Sequence, residues 1–192
     1  NSANNSIWGQ GGDDTIYGIS GDNYLNGGSG ADIIYAGVGA DLLIGESGND
    51  TFMTYYNASG ANEAAKFGAS NTIYGGTWNG VTSSASGSDT VDYSSIVDNT
   101  YNIYADLSGT SNNVEIRTGT TTVHKTDSVI DVNNVRGTSG DDTFRGNANA
   151  NILNGLAGNN TALYTFAALT AGVVANLQAG EVEKTTNNGT VK

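Results

Sequence analysis

Residues 9–53 fall into five consecutive nine-residue units: GQGGDDTIY, GISGDNYLN, GGSGADIIY, AGVGADLLI and GESGNDTFM. A worn copy, SANNSIW, stands in front of them at 2–8. The unit is G-x-x-G-x-D-x-U-x, where U is a large apolar residue. The U place holds Ile7, Ile16, Leu25, Ile34, Leu43 and Phe52, and the acidic place holds Asn5, Asp14, Asn23, Asp32, Asp41 and Asp50. A helix is excluded, because nine residues at about 100° each do not return to one face and interior glycine is costly. A strand of three residues shows its middle side chain to one face, so one U per unit suffices to face a core. Two units then make one coil, strand–turn–strand–turn, and successive coils stack as parallel strands about 4.8 Å apart.

In such a stack, residues two units apart lie one above another. Asp14, Asp32 and Asp50 line one edge, and Asn5, Asn23 and Asp41 line the other. Two carboxylates about 4 Å apart repel by roughly 4 kcal/mol at an effective dielectric near 20. A hard dication reverses that sign. Ca²⁺ takes six to eight oxygens in flexible geometry, and glycine-rich turns bring backbone carbonyls close enough to complete the shell; Mg²⁺ wants a tighter octahedron. Gly–Asp turns can also end strands with no ion present, but a register held through five units is better explained by repeated ion sites. The candidate metal set is therefore Asp14, Asp32 and Asp50 with the turn residues Gly9, Gly11, Gly27, Ser29 and Gly45. Asn23 with Asp41 forms a weaker pair, and Asn5 with Asn23 carries no charge to hold an ion.

The stretch 9–53 resembles the calcium-binding nonapeptide repeats of secreted bacterial RTX (hemolysin-type) proteins, and GTSGDDTFRGNANANILNGLAGNNTAL (137–163) resembles them more loosely. The resemblance implies an all-β fold, a right-handed parallel β-roll with several Ca²⁺ ions between its turns, and type I secretion to the cell exterior or surface. In the second block only Asp142 keeps the charge, with Asn151 and Asn160 at the following acidic places, so one weak site is expected there.

A slower period runs beneath the short one. DTVDYSSIVDNTYNIYADLSG (89–109) and NTALYTFAALTAGVVANLQAG (160–180) share a frame in which Tyr93 matches Tyr164 and Ala105-Asp106-Leu107 matches Ala175-Asn176-Leu177. These stretches resemble the connecting segments of long modular RTX proteins. Val129, Ile130, Val132 and Val135 have strand character. ANEAAKF (61–67) suits one helical turn, and residual repeat turns place Asn71 and Asp89 two units apart, which adds Asp89 to the metal candidates. The expected division is a nonapeptide roll (1–56), an inserted β-rich non-repeat module (57–135), a second short roll (136–163) and the truncated start of another module (164–192). Asn1 is not an initiator residue and the second long repeat breaks off at Lys192, so further modules of the same chain are expected at its ends.

Composition narrows the function classes. Nineteen acidic side chains against seven basic ones give a formal charge of −12, which disfavours nucleic acid and anionic membrane as partners. No run of about 18 apolar residues suggests a membrane span. Cysteine is absent, so a secreted chain of this kind must be stapled by something other than disulfides, and metal is the usual substitute. No hydrolase motif is present. His124, beside Lys125 and Asp127, could be drawn as an acid–base centre, but it reads better as an exposed strand histidine; no enzyme is expected. Tyr17 and Tyr35 share a strand face and are expected to pack under the 54–70 connection rather than to form a sugar platform. The expected function is a calcium-dependent structural module of an extracellular, adhesin-like RTX protein. The alternatives are the non-catalytic tail of a secreted hydrolase or epimerase, and a module that binds a cell-surface glycan.

Overall fold

Each nonapeptide contributes one strand in the computed structural model, which describes residues 1–78, 83–84, 87–109, 112–163 and 173–177. The first three coils are β1 (Ser6–Gly11) with β2 (Thr15–Tyr17), β3 (Tyr24–Ser29) with β4 (Ile33–Tyr35), and β5 (Leu42–Ser47) with β6 (Thr51–Met53). All pairings within this set are parallel, and their register is the two-unit offset: Ile7 pairs with Leu25, Leu25 with Leu43, Ile16 with Ile34, and Ile34 with Phe52.

The chain then leaves the coil through α1 (Glu63–Phe67), where ANEAAKF does form a single helical turn. Asn62 caps it, its side-chain oxygen accepting the Ala65 N–H, and Phe67 is fully buried beneath. Next come β7 (Thr72–Tyr74), β8 (Thr77–Trp78), β9 (Ser83–Ser84) and β10 (Thr90–Asp92). β7 pairs with β5 and β10 with β6, so these two strands make a fourth coil. The pair β8–β9 forms a small hairpin on the loop between them.

An antiparallel meander follows: β11 (Tyr101–Asp106), β12 (Asn113–Thr118) and β13 (Thr122–Ile130). The last strands are β14 (Asn134–Arg136), β15 (Thr143–Arg145), β16 (Asn151–Asn154), β17 (Thr161–Leu163) and β18 (Val173–Asn176). The meander does not stand apart from the roll. One sheet runs β1-β3-β5-β7-β13-β12-β11-β15-β17, and the facing sheet runs β18-β16-β14-β10-β6-β4-β2. β13 lies parallel on β7, and β11 lies parallel on β15, so the meander is spliced into the stack between two coils.

The core is the space between the sheets. In the facing sheet the inward column Ile16, Ile34, Phe52, Val91, Val135, Leu153 stays in register through six strands, and each of these residues is buried. Burial of one such side chain stabilises by about 1.5–3 kcal/mol relative to exposure. This column belongs to one cluster with Ile103, Val114, Ile116, Val129 and Phe144 from the meander side.

Asn71 and Asp89 are not stacked on one another, contrary to the sequence expectation. Asn71 precedes β7 in one sheet and Asp89 precedes β10 in the other, so they stand on opposite edges. The extra residues between them are the β8–β9 loop inserted into a single half-coil. Tyr164 and residues 178–192 lie outside the described residues, as does the second copy of the long repeat apart from Asn160, β17, β18 and Leu177.

Candidate metal centre

The carboxylates of one edge form a hydrogen-bonded ladder. Asp32 Oδ1 accepts the Asp14 N–H at 2.8 Å, Asp50 Oδ1 accepts the Asp32 N–H at 2.9 Å, and Asp89 Oδ1 accepts the Asp50 N–H at 2.9 Å. Each rung therefore fixes one carboxylate oxygen and aims the other at the turn. Those second oxygens, Oδ2 of Asp14, Asp32, Asp50 and Asp89, are buried and have no donor among the described residues. An unpaired buried carboxylate oxygen is costly, and four in a row is a pattern that a bound cation would resolve.

Glycine shapes the space these oxygens face. A Cβ on Gly9 would lie 2.5 Å from both Asp14 Oδ2 and the Gly27 carbonyl oxygen. The same relation repeats along the edge. A Cβ on Gly45 would meet Asp50 Oδ2 and the Gly75 carbonyl, and one on Gly75 would meet Asp89 Oδ2 and the Asp131 carbonyl. A Cβ on Gly27 would run into the Asp32 carboxylate. The cradles at Gly9, Gly45 and Gly75 thus each offer a carboxylate oxygen and a carbonyl oxygen from a neighbouring strand or turn, hard donors of the kind Ca²⁺ takes. Farther round the turn, a Cβ on Gly11 would lie 3.0 Å from Ser29 Oγ, while the Ser29 carbonyl already accepts the Gly12 N–H.

Burial pushes these acids up. Asp50 is raised to about 6 and Asp89 to about 7, in both cases mainly because the charged form is desolvated, with neighbouring carboxylates adding to it. Asp32 is raised for the same reason, its bond from the Asp14 amide opposing the shift. A dication in the cradle would favour the ionised forms.

The other edge is built differently. Asn23 Oδ1 accepts the Asn5 N–H, and Asn23 Nδ2 donates to the Gly21 carbonyl and to Asp41 Oδ1, both at 2.8 Å. Asn23 therefore presents a donor to its turn, not the ligand oxygen that its place in the repeat suggests. Asp41 Oδ1 also takes the Asn23 N–H, and its Oδ2 is buried without a donor. In the second block, Asp142 accepts from the Ile103 and Thr138 amides and from the Thr138 hydroxyl, so both its oxygens are bonded. It lacks the free oxygen of the Asp14–Asp89 row, although burial raises it to about 7.

Asp131 stands beside this row, and the repeat pattern misses it. It follows β13 as Gly75 follows β7, its Oδ2 is buried without a donor, and its charge acts on Asp89. The available signal was its spacing from Val129, which equals that of Gly45 from Leu43 and of Gly75 from Ile73.

His124 is not the exposed strand residue expected. Its side chain is 14% exposed, Nε2 is 2.7 Å from Thr118 Oγ1, and its ring stacks on Phe67 beneath α1. Tyr17 and Tyr35 stack at 4.5 Å, but Tyr17 is 56% exposed and so is not covered by the 54–70 connection.

Family comparison agrees with this geometry. The model of the RTX calcium-binding nonapeptide repeat (4 copies) matches residues 1–18, 17–52 and 130–162. No curated protein matches the chain. Among solved structures, the chain is similar to the AlgE6R3 subunit of the mannuronan C5-epimerase of Azotobacter vinelandii. That match is 18% identical, covers 67% of this chain and 71% of the other, and has a TM-score of 0.42. The RTX calcium-binding nonapeptide model thus matches residues 1–52 and 130–162, the two blocks that carry the glycine–aspartate turns.

Proposed function

We propose that this chain is a calcium-dependent structural module of an extracellular, adhesin-like RTX protein, exported unfolded and folded by Ca²⁺ outside the cell. The observation that carries the reading is the row of buried, donorless Oδ2 atoms on Asp14, Asp32, Asp50 and Asp89. Bound Ca²⁺ would supply positive charge to that row and complete its shell from the turn carbonyls. The protein's own part is to hold one carboxylate oxygen at each rung by a backbone N–H and to keep the cradle open with glycine. Where ligands are assembled only in the folded chain, metal-binding free energy is folding free energy. The absence of cysteine fits stapling by ions. In this reading the ions sit mainly in the first roll (1–56) and at Asp89, and the meander spaces the rolls.

Titration of Ca²⁺ into chelated protein, followed by far-ultraviolet circular dichroism, tests it. A cooperative rise in β-structure is expected, because Asp32 borders two neighbouring coils. Full β-structure in excess chelator would sink the reading.

The exposed Tyr17–Tyr35 stack favours one second reading, in which the same module also binds a cell-surface glycan on that strand face. A glycan array with the wild-type chain and Tyr17→Ala separates the two.

A further inference from the structure

Lys125 is buried, 4% exposed, on the inward face of β13 beside Asp127 and Val129. Its ammonium lies 3.2 Å from Asp127 Oδ1, and the side chains are 1% and 0% exposed. Lysine is almost never buried so completely unless it is paired. Asp127 continues the asparagine edge of the ladder. Its Oδ1 accepts the Asn71 N–H at 2.7 Å, just as Asn71 Oδ1 accepts the Asp41 N–H at 3.0 Å. Its Oδ2 accepts the Tyr93 hydroxyl at 2.8 Å. Lys125 thus stands two residues before a ladder position, the place that Gly21 and Gly39 hold before Asn23 and Asp41. Its charge also acts on Asp41, whose Oδ2 has no donor. This edge already replaces ligand oxygens with protein donors at Asn23, whose amide nitrogen serves the turn carbonyls.

We propose that the Lys125 ammonium is a resident cation, neutralising Asp127 where the repeat would otherwise take a metal ion, so that the meander is joined to the roll without calcium. The inference rests on reading the ladder carboxylates as cation sites. Two glycine-lined edges with one fold period would then differ in what closes them: metal at Asp14–Asp89, lysine at Asp127.

The test uses the whole 192-residue chain, wild type and two variants. Lys125→Gly opens the position and leaves Asp127 uncompensated beside the donorless Asp41 edge, so it should bind one more Ca²⁺ than wild type by equilibrium dialysis. Lys125→Met fills the space without charge. In saturating calcium, where the roll is folded, its Asn71 amide should exchange with solvent at least tenfold faster than in wild type. Wild-type stoichiometry in Lys125→Gly, or wild-type protection in Lys125→Met, overturns the role of the lysine. If neither variant folds, Lys125→Arg decides: retained protection of the Asn71 amide supports a cation, and loss of protection overturns it. Wild-type protein that binds no calcium would instead overturn the ladder reading itself, and this inference with it.

Discussion

Asp32 and Asp14 are joined by a single bond that divides the labour of one carboxylate: Asp32 Oδ1 holds the Asp14 N–H at 2.8 Å, while Asp32 Oδ2 is left buried and donorless. The first oxygen sets the coil-to-coil register, and the second is free for an ion. Because Asp32 also donates its own N–H to Asp50, it lies between two cradles. Asp32→Ala should therefore lower calcium affinity more than Asp41→Ala or Asp142→Ala, by roughly tenfold or more, where each decade is about 1.4 kcal/mol. Calorimetric titration of the three variants checks this. Equal losses would mean that the two edges are equivalent.

Acid should stand in for calcium in part. The folded, metal-free chain raises Asp50 to about 6 and Asp89 and Asp142 to about 7, against an ordinary value of 3.8. Between those limits the folded state binds more protons than the unfolded state, so stability falls as pH rises through the window. Chelated protein should accordingly hold more folded β-structure at pH 5 than at pH 8, read by far-ultraviolet circular dichroism. Calcium affinity should run the other way, since the ion needs the ionised forms. Chelated protein that gains stability from pH 5 to pH 8 would contradict this.

Gly27→Ala should weaken calcium-dependent folding severely, because the new Cβ would sit 2.8 Å from Asp32 Cγ and 2.9 Å from its Cβ. Gly119→Ala is the control. Gly119 has φ of 62° with open space around it, so the substitution costs about 1 kcal/mol of backbone strain and leaves the calcium midpoint unchanged. The midpoint of a calcium titration, read for both variants, separates crowding of the cradle from strain alone.

Tyr93→Phe removes the hydroxyl that serves Asp127 Oδ2 inside a fully buried environment. Leaving that oxygen unsatisfied should cost about 1–3 kcal/mol in denaturant unfolding. Calcium stoichiometry should stay at the wild-type value, since the Tyr93 hydroxyl serves Asp127, on the edge opposite Asp14, Asp32 and Asp50.

What the nonapeptide period makes legible is register. Once Ile16, Ile34 and Phe52 share one place in a unit, parallel pairing at that offset follows, and the edge composition follows with it. The period says nothing where it breaks. Asn71 meets Asp41 after a long connection and Asp127 meets Asn71 across the whole fourth coil and meander, so no spacing announces either contact. Lys125 and Asp131 were hidden for that reason: each takes a place that glycine holds in the repeats, but on a strand that enters from a hairpin. Alternation along β13 points to an exposed His124 because it cannot reveal that α1 lies across that strand.

The same breaks in spacing impose an order of assembly. Rungs in the first three coils close loops of 18 residues, whereas Asp41–Asn71, Asp50–Asp89 and Asn71–Asp127 close loops of 30, 39 and 56. Loop-closure entropy rises with length, by about 0.6 kcal/mol per doubling, and non-local pairing slows folding. The block from β14 to β17 also closes loops of 18, Asn160 with Asp142 and Asn151 with Asn133, so coils at both ends are cheap to nucleate. The splice at β7–β13 that joins them closes the longest of these loops and is expected to be the slow step.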